Sequence, residues 1–298
     1  SITLHMDRKQ AIKRMGASFG ALSVAPFLPS WSEAKVSPFR HQDSSIRHSV
    51  SRWPYESIPL EEFCQRVIPM GITSVELVGP EQWPILKKYG LDCAMPNGAE
   101  SLGLTVGFND PKAHDQLFSD YSSIIPLVAE AGFDKIICFS GNRNGMDDQQ
   151  GLEHCVTGLK RLMPLAEKHK VTVTMELFNS KVDHPDYMAD STAWGVALVD
   201  AVGSDRFKLL YDIYHMQIME GDVIRTIQTY GDYFSHYHTG GVPGRNEIDE
   251  SQELYYPAIM EAIARTGYTG YVAQEFIPSS DRPLESLADG VRRCSVKV

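Results

Sequence analysis

Four short stretches of the chain each close an apolar, β-branched run with a residue able to hold a metal or move a proton. "VTVTMEL" reaches Glu176, "FKLLYDIYH" reaches Asp212, "YFSHYHTG" reaches His238 and "GYVAQEF" reaches Glu275. Two glutamates, an aspartate and an imidazole make an oxygen/nitrogen donor set suited to one divalent ion, Mn²⁺, Mg²⁺, Co²⁺ or Zn²⁺. Each acid taken alone reads more simply as a helix cap. Four such residues at equivalent positions argue against four caps, because like charges buried together without a cation repel at low dielectric. Side chains alternate along a strand, so His236 and His238 of "HYH" share one face, with His238 nearer the C-terminal end. His236 is then either a support for the ligand or a satisfied core histidine.

Residues scattered over a hundred positions need a scaffold that brings strand ends together. From Arg47 onward, short runs alternate with longer amphipathic ones: "RHSVSRW", "TSVELVG", "LDCAMPN", "DKIICFSG", and then the four above. Between Gln150 and Lys170, Leu152, Cys155, Val156, Leu159, Met163 and Ala166 recur every three or four residues, the period of a helix with one buried face. Ser191–Val202 and Leu254–Ala264 behave similarly. Eight strands separated by helices imply parallel pairing through right-handed crossovers. Residues 41–298 approach the roughly 250 residues usual for a (β/α)8 TIM barrel, in which chemistry collects at the C-terminal strand ends. A doubly wound open sheet is the runner-up, weakened by the lack of a Gly-rich phosphate loop after the first strand.

The first 40 residues stand apart. "MDRKQAIKRMG" is basic, "ASFGALSVAPFL" is apolar but too short to cross a bilayer, and "SWSEA" offers small residues near a cleavage point. That order predicts a signal or leader segment over 1–40 and an exported, periplasmic location, with a cytoplasmic one as the alternative. Residues 1–5 read as an expression remnant or an over-extended start.

A net charge of −10 opposes nucleic-acid binding, since a duplex partner calls for a basic face. Membrane insertion is not expected, and a homo-oligomer is compatible with the composition. The five cysteines form no CxxC pair and their odd count indicates neither a zinc knuckle nor a disulfide framework.

"MELFN", "YDIYHMQ", "HYHTGGVPGRNEID" with "ELYYP", and "VAQEFIP" together resemble the hydroxypyruvate isomerase family, within the xylose isomerase-like TIM barrels that also include ketose 3-epimerases. The resemblance spans about Trp53 to Pro278 and is densest from Glu176 onward. It implies one divalent ion held by Glu176, Asp212, His238 and Glu275, and substrate contacts from His215, Arg245 and Glu247. It departs at His238, where hydroxypyruvate isomerases carry Gln and ketose 3-epimerases His, which widens the substrate class beyond hydroxypyruvate.

The chemistry expected is enolisation of a small ketose or hydroxy-keto acid, with Glu176 and Glu275 removing and returning a proton beside a carbonyl polarised by the ion. Trp53, Glu76 and Asn97 lie after earlier strands and are expected at the substrate. Trp53 serves equally as a barrel cap, "CFSGNRNG" (138–145) reads as a site loop or a plain Gly/Asn turn, and "NSKVDHPDYM" (179–188) reads either as a lid acting through Asn179 or His184 or as a solvated loop. A metal-dependent lyase or dehydratase on a keto-sugar would use the same site. An exported, non-catalytic carbohydrate-binding barrel is the rival from another class, and an endonuclease on damaged DNA ranks last.

Overall fold

The computed structural model describes residues 44–298, so the expected leader lies outside the described residues. Seven parallel strands form one sheet: β1 (Arg47–Ser51), β2 (Ile72–Glu76), β3 (Lys135–Cys138), β4 (Thr172–Glu176), β5 (Phe207–Asp212), β6 (Phe234–Thr239) and β7 (Tyr271–Gln274). Their order is β2-β1-β7-β6-β5-β4-β3, so β2 and β3 form the two sides of a gap.

That gap is where the third expected strand, "LDCAMPN", belongs, and the structure corrects the expectation there. Asp92 N donates to Thr73 O (2.9 Å), Val75 N to Asp92 O (3.0 Å) and Leu77 N to Met95 O (2.9 Å) on the β2 side. Ile137 N donates to Pro96 O (3.2 Å) on the β3 side. The segment therefore closes the ring without becoming a regular strand. Its own donors explain this: Cys93 N is taken by the Asp92 carboxylate, Ala94 N by Ser74 Oγ, and Pro96 has none. The fold is a (β/α)8 TIM barrel with an irregular third position.

Nine α-helices occur among the described residues: α1 (Leu60–Val67), α2 (Trp83–Lys88), α3 (His114–Glu130), α4 (Asp148–His169), α5 (Thr192–Val202), α6 (Ile213–Met219), α7 (Val223–Tyr230), α8 (Tyr256–Arg265) and α9 (Pro283–Cys294). The periodicity read from Gln150 onward is the buried face of α4, where Cys155, Leu159, Met163 and Ala166 are covered. Asp147 caps it by accepting from Gln150 N at 2.8 Å, and Ser191 caps α5 by accepting from Trp194 N at 3.2 Å. Each cap satisfies one of the orphan donors at a helix start. No described helix is long and apolar enough to cross a membrane.

Beneath the mouth, the barrel interior is polar. Ser49, Ser74, Glu76, His236 and His238 are all buried there. Glu76 is the hub: Ser49 Oγ donates to Oε2 at 2.5 Å, while His236 Nε2 and His238 Nε2 lie 2.7 and 2.8 Å from Oε1. A buried carboxylate is tolerable only when paired in this way.

Candidate metal centre

The four residues singled out at the strand ends meet at the C-terminal mouth. Glu176 ends β4, Asp212 ends β5, His238 lies in β6, and Glu275 follows β7 directly. The ladder places Asp212 opposite His238. One donor atom from each of the four lies within 4.8 Å of the others, and all four side chains are buried. Donors on opposite sides of an ion bound at about 2.0–2.2 Å stand roughly 4.2 Å apart, so the cluster is of metal-site size.

The imidazole supplies the sharpest indication. Nε2 pairs with Glu76, so the ring presents Nδ1 to the acids, 2.7 Å from Glu275 Oε2, 3.3 Å from Glu176 Oε1 and 4.0 Å from Asp212 Oδ2. His238 Nδ1 and Glu176 Oε1 are both buried, and they find no well-aligned partner beyond one another and the neighbouring acids. So close to three carboxylates, that nitrogen calls for a proton or a metal ion between them. The donor set fits a divalent ion, with Glu76 fixing the ring as outer carboxylates do in metal sites.

The electrostatics carry the same message. Burial disfavours charge on His238, but Glu275, Glu176 and Glu76 outweigh it and push its pKa well above the ordinary histidine value. Burial, reinforced by the neighbouring Glu275 charge, raises Glu176 to about 7, and burial raises Asp212 to about 6. Glu275 is buried too, yet the charges of His238 and Arg245 hold it below the usual carboxylate range. Glu76 is held at about 2, where its two histidine partners overcome the cost of burial.

Arg245 reaches into the cluster from the loop after β6. Its Nη2 lies 2.7 Å from Glu275 Oε2 and 3.4 Å from Asp212 Oδ2. The loop turns tightly to bring it there: Arg245 N donates to Gly241 O at 2.8 Å, and Ile277 N to Arg245 O at 2.6 Å. A Cβ on Gly241 would meet Glu247 O at 2.2 Å, so the turn requires glycine at that position.

A cavity of about 440 Å³ opens above the cluster, with Trp53, Asn97, Phe139, Glu176, Arg245 and Glu275 in its wall. Trp53 is placed by its indole, which donates to Glu275 Oε1 at 2.8 Å. Trp53, Asn97 and Arg245, expected at the substrate, all line this cavity. His184 of the 179–188 loop also faces the cavity, its ring stacked 4.2 Å from Phe178.

Three residues expected at the substrate, Glu76, His215 and Glu247, do not line this cavity. Glu76 lies below the cluster, both oxygens committed to Ser49 and the histidines. His215 is fully buried behind His184; its Nδ1 meets the Asn179 amide at 2.7 Å and its Nε2 stands 3.6 Å from Asp212 Oδ2. Glu247 points away, accepting from Ser279 N and Oγ, Ser280 N and Ser286 Oγ, so it ties the β6 and β7 loops together. Asn179 likewise supports from below, its Oδ1 accepting from Val182 N and Asp183 N. Phe178, from the "MELFN" stretch, also lines the cavity, as do Glu56, Glu100 and Leu104, which carry no signal in the sequence because they sit in loops away from any strand end.

Residues 81–294 match the family described as xylose isomerase-like TIM barrel. Hydroxypyruvate isomerase from Escherichia coli is 27% identical over 171 residues, 57% of this chain and 66% of that one. A 2-oxo-tetronate isomerase from Cupriavidus necator is 36% identical over 108 residues, 36% of this chain and 41% of that one. Among putative hydroxypyruvate isomerases of animals the match spans from 39% to 67% of the relative's length. A crystal structure titled AP endonuclease, family 2, from Brucella melitensis superposes with a TM-score of 0.73 at 26% identity, covering 82% of this chain and 97% of that one. The barrel, the cluster at its mouth and these matches agree, and the chain belongs to the xylose isomerase-like TIM barrel family.

Proposed function

We propose that the protein is a divalent-metal-dependent isomerase or epimerase that enolises a ketose or hydroxy-keto acid. The observation that carries this reading is the convergence of His238 Nδ1 with the carboxylates of Glu176, Asp212 and Glu275 at the barrel mouth. Isomerases among the relatives support it.

Glu176, Asp212, His238 and Glu275 would hold the ion, which when bound polarises a carbonyl and stabilises negative charge on its oxygen. The rest follows from the chain's own groups. Glu176 and Glu275 stand on strands three apart in the ring, so a substrate seated between them meets a carboxylate on each side. One takes the proton from the carbon beside the carbonyl, and the electron pair of that C–H bond moves onto the carbonyl. Return of the proton to the former carbonyl carbon, with the hydroxyl proton of the deprotonated carbon passing to the former carbonyl oxygen, isomerises the substrate; return to the opposite face of the same carbon, with the carbonyl re-formed where it was, epimerises it. Carboxylates on two sides of the substrate are the groups placed to accept and return that proton. Trp53 orients Glu275 through the indole N–H, and Arg245 supplies donors over the site.

Proton NMR in D₂O tests the reading. Metal-loaded protein should exchange the hydrogen beside the carbonyl of its substrate. Absence of exchange across keto acids and ketoses, from protein shown to hold its ion, would reject it.

A further inference from the structure

His184 stands in the cavity wall with neither ring nitrogen committed. The rings of His48, His114, His154, His215, His236 and His238 each spend a nitrogen on a hydrogen bond within the protein. Among the described residues, no group bonds to either nitrogen of His184. The ring is nonetheless held by its face. It stacks on Phe178 with centroids 4.2 Å apart and planes 14° from parallel, and the His215 ring meets it at 5.4 Å and 65°. A contact through the face leaves both nitrogens, which lie at the ring edge, uncommitted.

The chain that carries the ring is equally fixed. His184 N donates to Asn179 O at 3.1 Å, and Asn179 Oδ1 accepts from Val182 N and Asp183 N at 3.0 and 2.9 Å. The Asp183 carboxylate accepts from the Asn179 amide and from the Tyr214 hydroxyl, each at 2.7 Å. A turn so tied presents one side chain with its polar atoms free.

The isomerising route needs such a group. Once a carboxylate has taken the carbon-bound proton, the former carbonyl oxygen carries negative charge and the deprotonated carbon keeps its hydroxyl. Completing the isomerisation moves that hydroxyl proton to the other oxygen. Ionised carboxylates only accept, whereas the Arg245 guanidinium and the Trp53 indole only donate. A neutral imidazole does both. Burial first, and then the charge of Arg245, lower the His184 pKa from its ordinary value, which keeps the ring neutral near pH 7.

We propose that His184 carries the hydroxyl proton from one substrate oxygen to the other, as base toward the first and as acid toward the second. The inference rests on the enolising site above and adds a residue to it. A ring nitrogen takes the hydroxyl proton, leaving imidazolium, and gives it to the former carbonyl oxygen. The electron pair left on the first oxygen forms the new C=O as the former carbonyl carbon receives its proton, and the imidazole ends as it began. Epimerisation re-forms the carbonyl where it stood and needs no such transfer, so His184 separates the two outcomes.

Proton NMR in D₂O on Mg²⁺-loaded protein, with a panel of keto acids and ketoses that includes hydroxypyruvate and D-fructose, reads both steps: hydrogen exchange beside the carbonyl and appearance of the aldehyde isomer. His184→Phe keeps a stacking ring and removes both nitrogens; His184→Asn keeps polarity and removes the proton carrier. Each should lower isomer formation about 10²-fold or more while exchange stays within about threefold of wild type. An unchanged ratio of isomer to exchange in both variants overturns the proposal, and so does a wild-type protein that exchanges without forming isomer. No exchange from ion-loaded wild type across the panel rejects enolisation itself, and this assignment with it. The metal-free protein gives an independent readout. In ¹⁵N NMR the His184 ring, identified by its loss in His184→Phe, should be neutral at pH 7, and a protonated ring there overturns the assignment.

Discussion

Glu76 and His238 are joined at 2.8 Å between Oε1 and Nε2, which commits the opposite ring nitrogen to the acids at the barrel mouth. The same oxygen holds His236 at 2.7 Å, so one buried carboxylate orients two imidazoles. A residue expected at the substrate thus acts one layer deeper, through the ring it fixes.

Replacing that carboxylate should therefore show in metal binding. Glu76→Gln is expected to weaken Mn²⁺ affinity about 10–100-fold, the cost usual for a lost outer partner of a ligating histidine. Titration calorimetry of the purified variant checks it. Unchanged affinity would mean that His238 keeps its orientation without Glu76.

Occupation of the cluster should stabilise the fold, because the ion binds the assembled barrel and not the unfolded chain. At an ion concentration 100 times Kd the gain is about 2.7 kcal/mol, or roughly 5–10 °C in Tm for a domain of this size. Thermal melts with Mn²⁺ and after exhaustive chelation measure the difference. Identical melts would deny the cluster a metal.

The flanking glutamates should be separable from mere scaffolding. Glu176→Gln and Glu275→Gln are each expected to slow solvent-hydrogen exchange into the substrate by about 10²–10⁴, the usual worth of a positioned acid or base. Each variant's ion content is measured alongside. A variant that holds its ion and exchanges at the wild-type rate removes that glutamate from proton transfer.

Arg245 competes with any cation for Asp212 and Glu275, from 3.4 and 2.7 Å. Arg245→Met removes a positive charge from beside the cluster, so Mn²⁺ should bind more tightly. Loss of its donors over the site should raise KM at the same time. Looser metal binding in the variant would show instead that the guanidinium holds the acids in place.

The strand ends were legible because an acid or imidazole closing an apolar run stands out, and the barrel then fixes where such ends must gather. The depth of a side chain was not. His215 follows Asp212 by one helical step, and its residue type alone says nothing of the Asn179 amide that occupies its Nδ1. Glu247 shares a loop with Arg245, but only the folded β7 loop reveals Ser279, Ser280 and Ser286 around its carboxylate. Glu100 escaped notice because it follows the irregular third segment, where neither period nor register points inward. That segment itself was misread as a strand, since the competition of Asp92 and Ser74 side chains for its amides is a tertiary event.

The ring consequently has a seam. Between β5 and β6, which carry Asp212 and His238, the ladder is regular through the mouth, whereas a single backbone bond from Ile137 N to Pro96 O ties the third segment to β3. Asn97 and Glu100 hang from the loose side of that joint. Breathing of the barrel would concentrate there, widening or reshaping the end of the cavity farthest from the metal ligands while those ligands stay fixed.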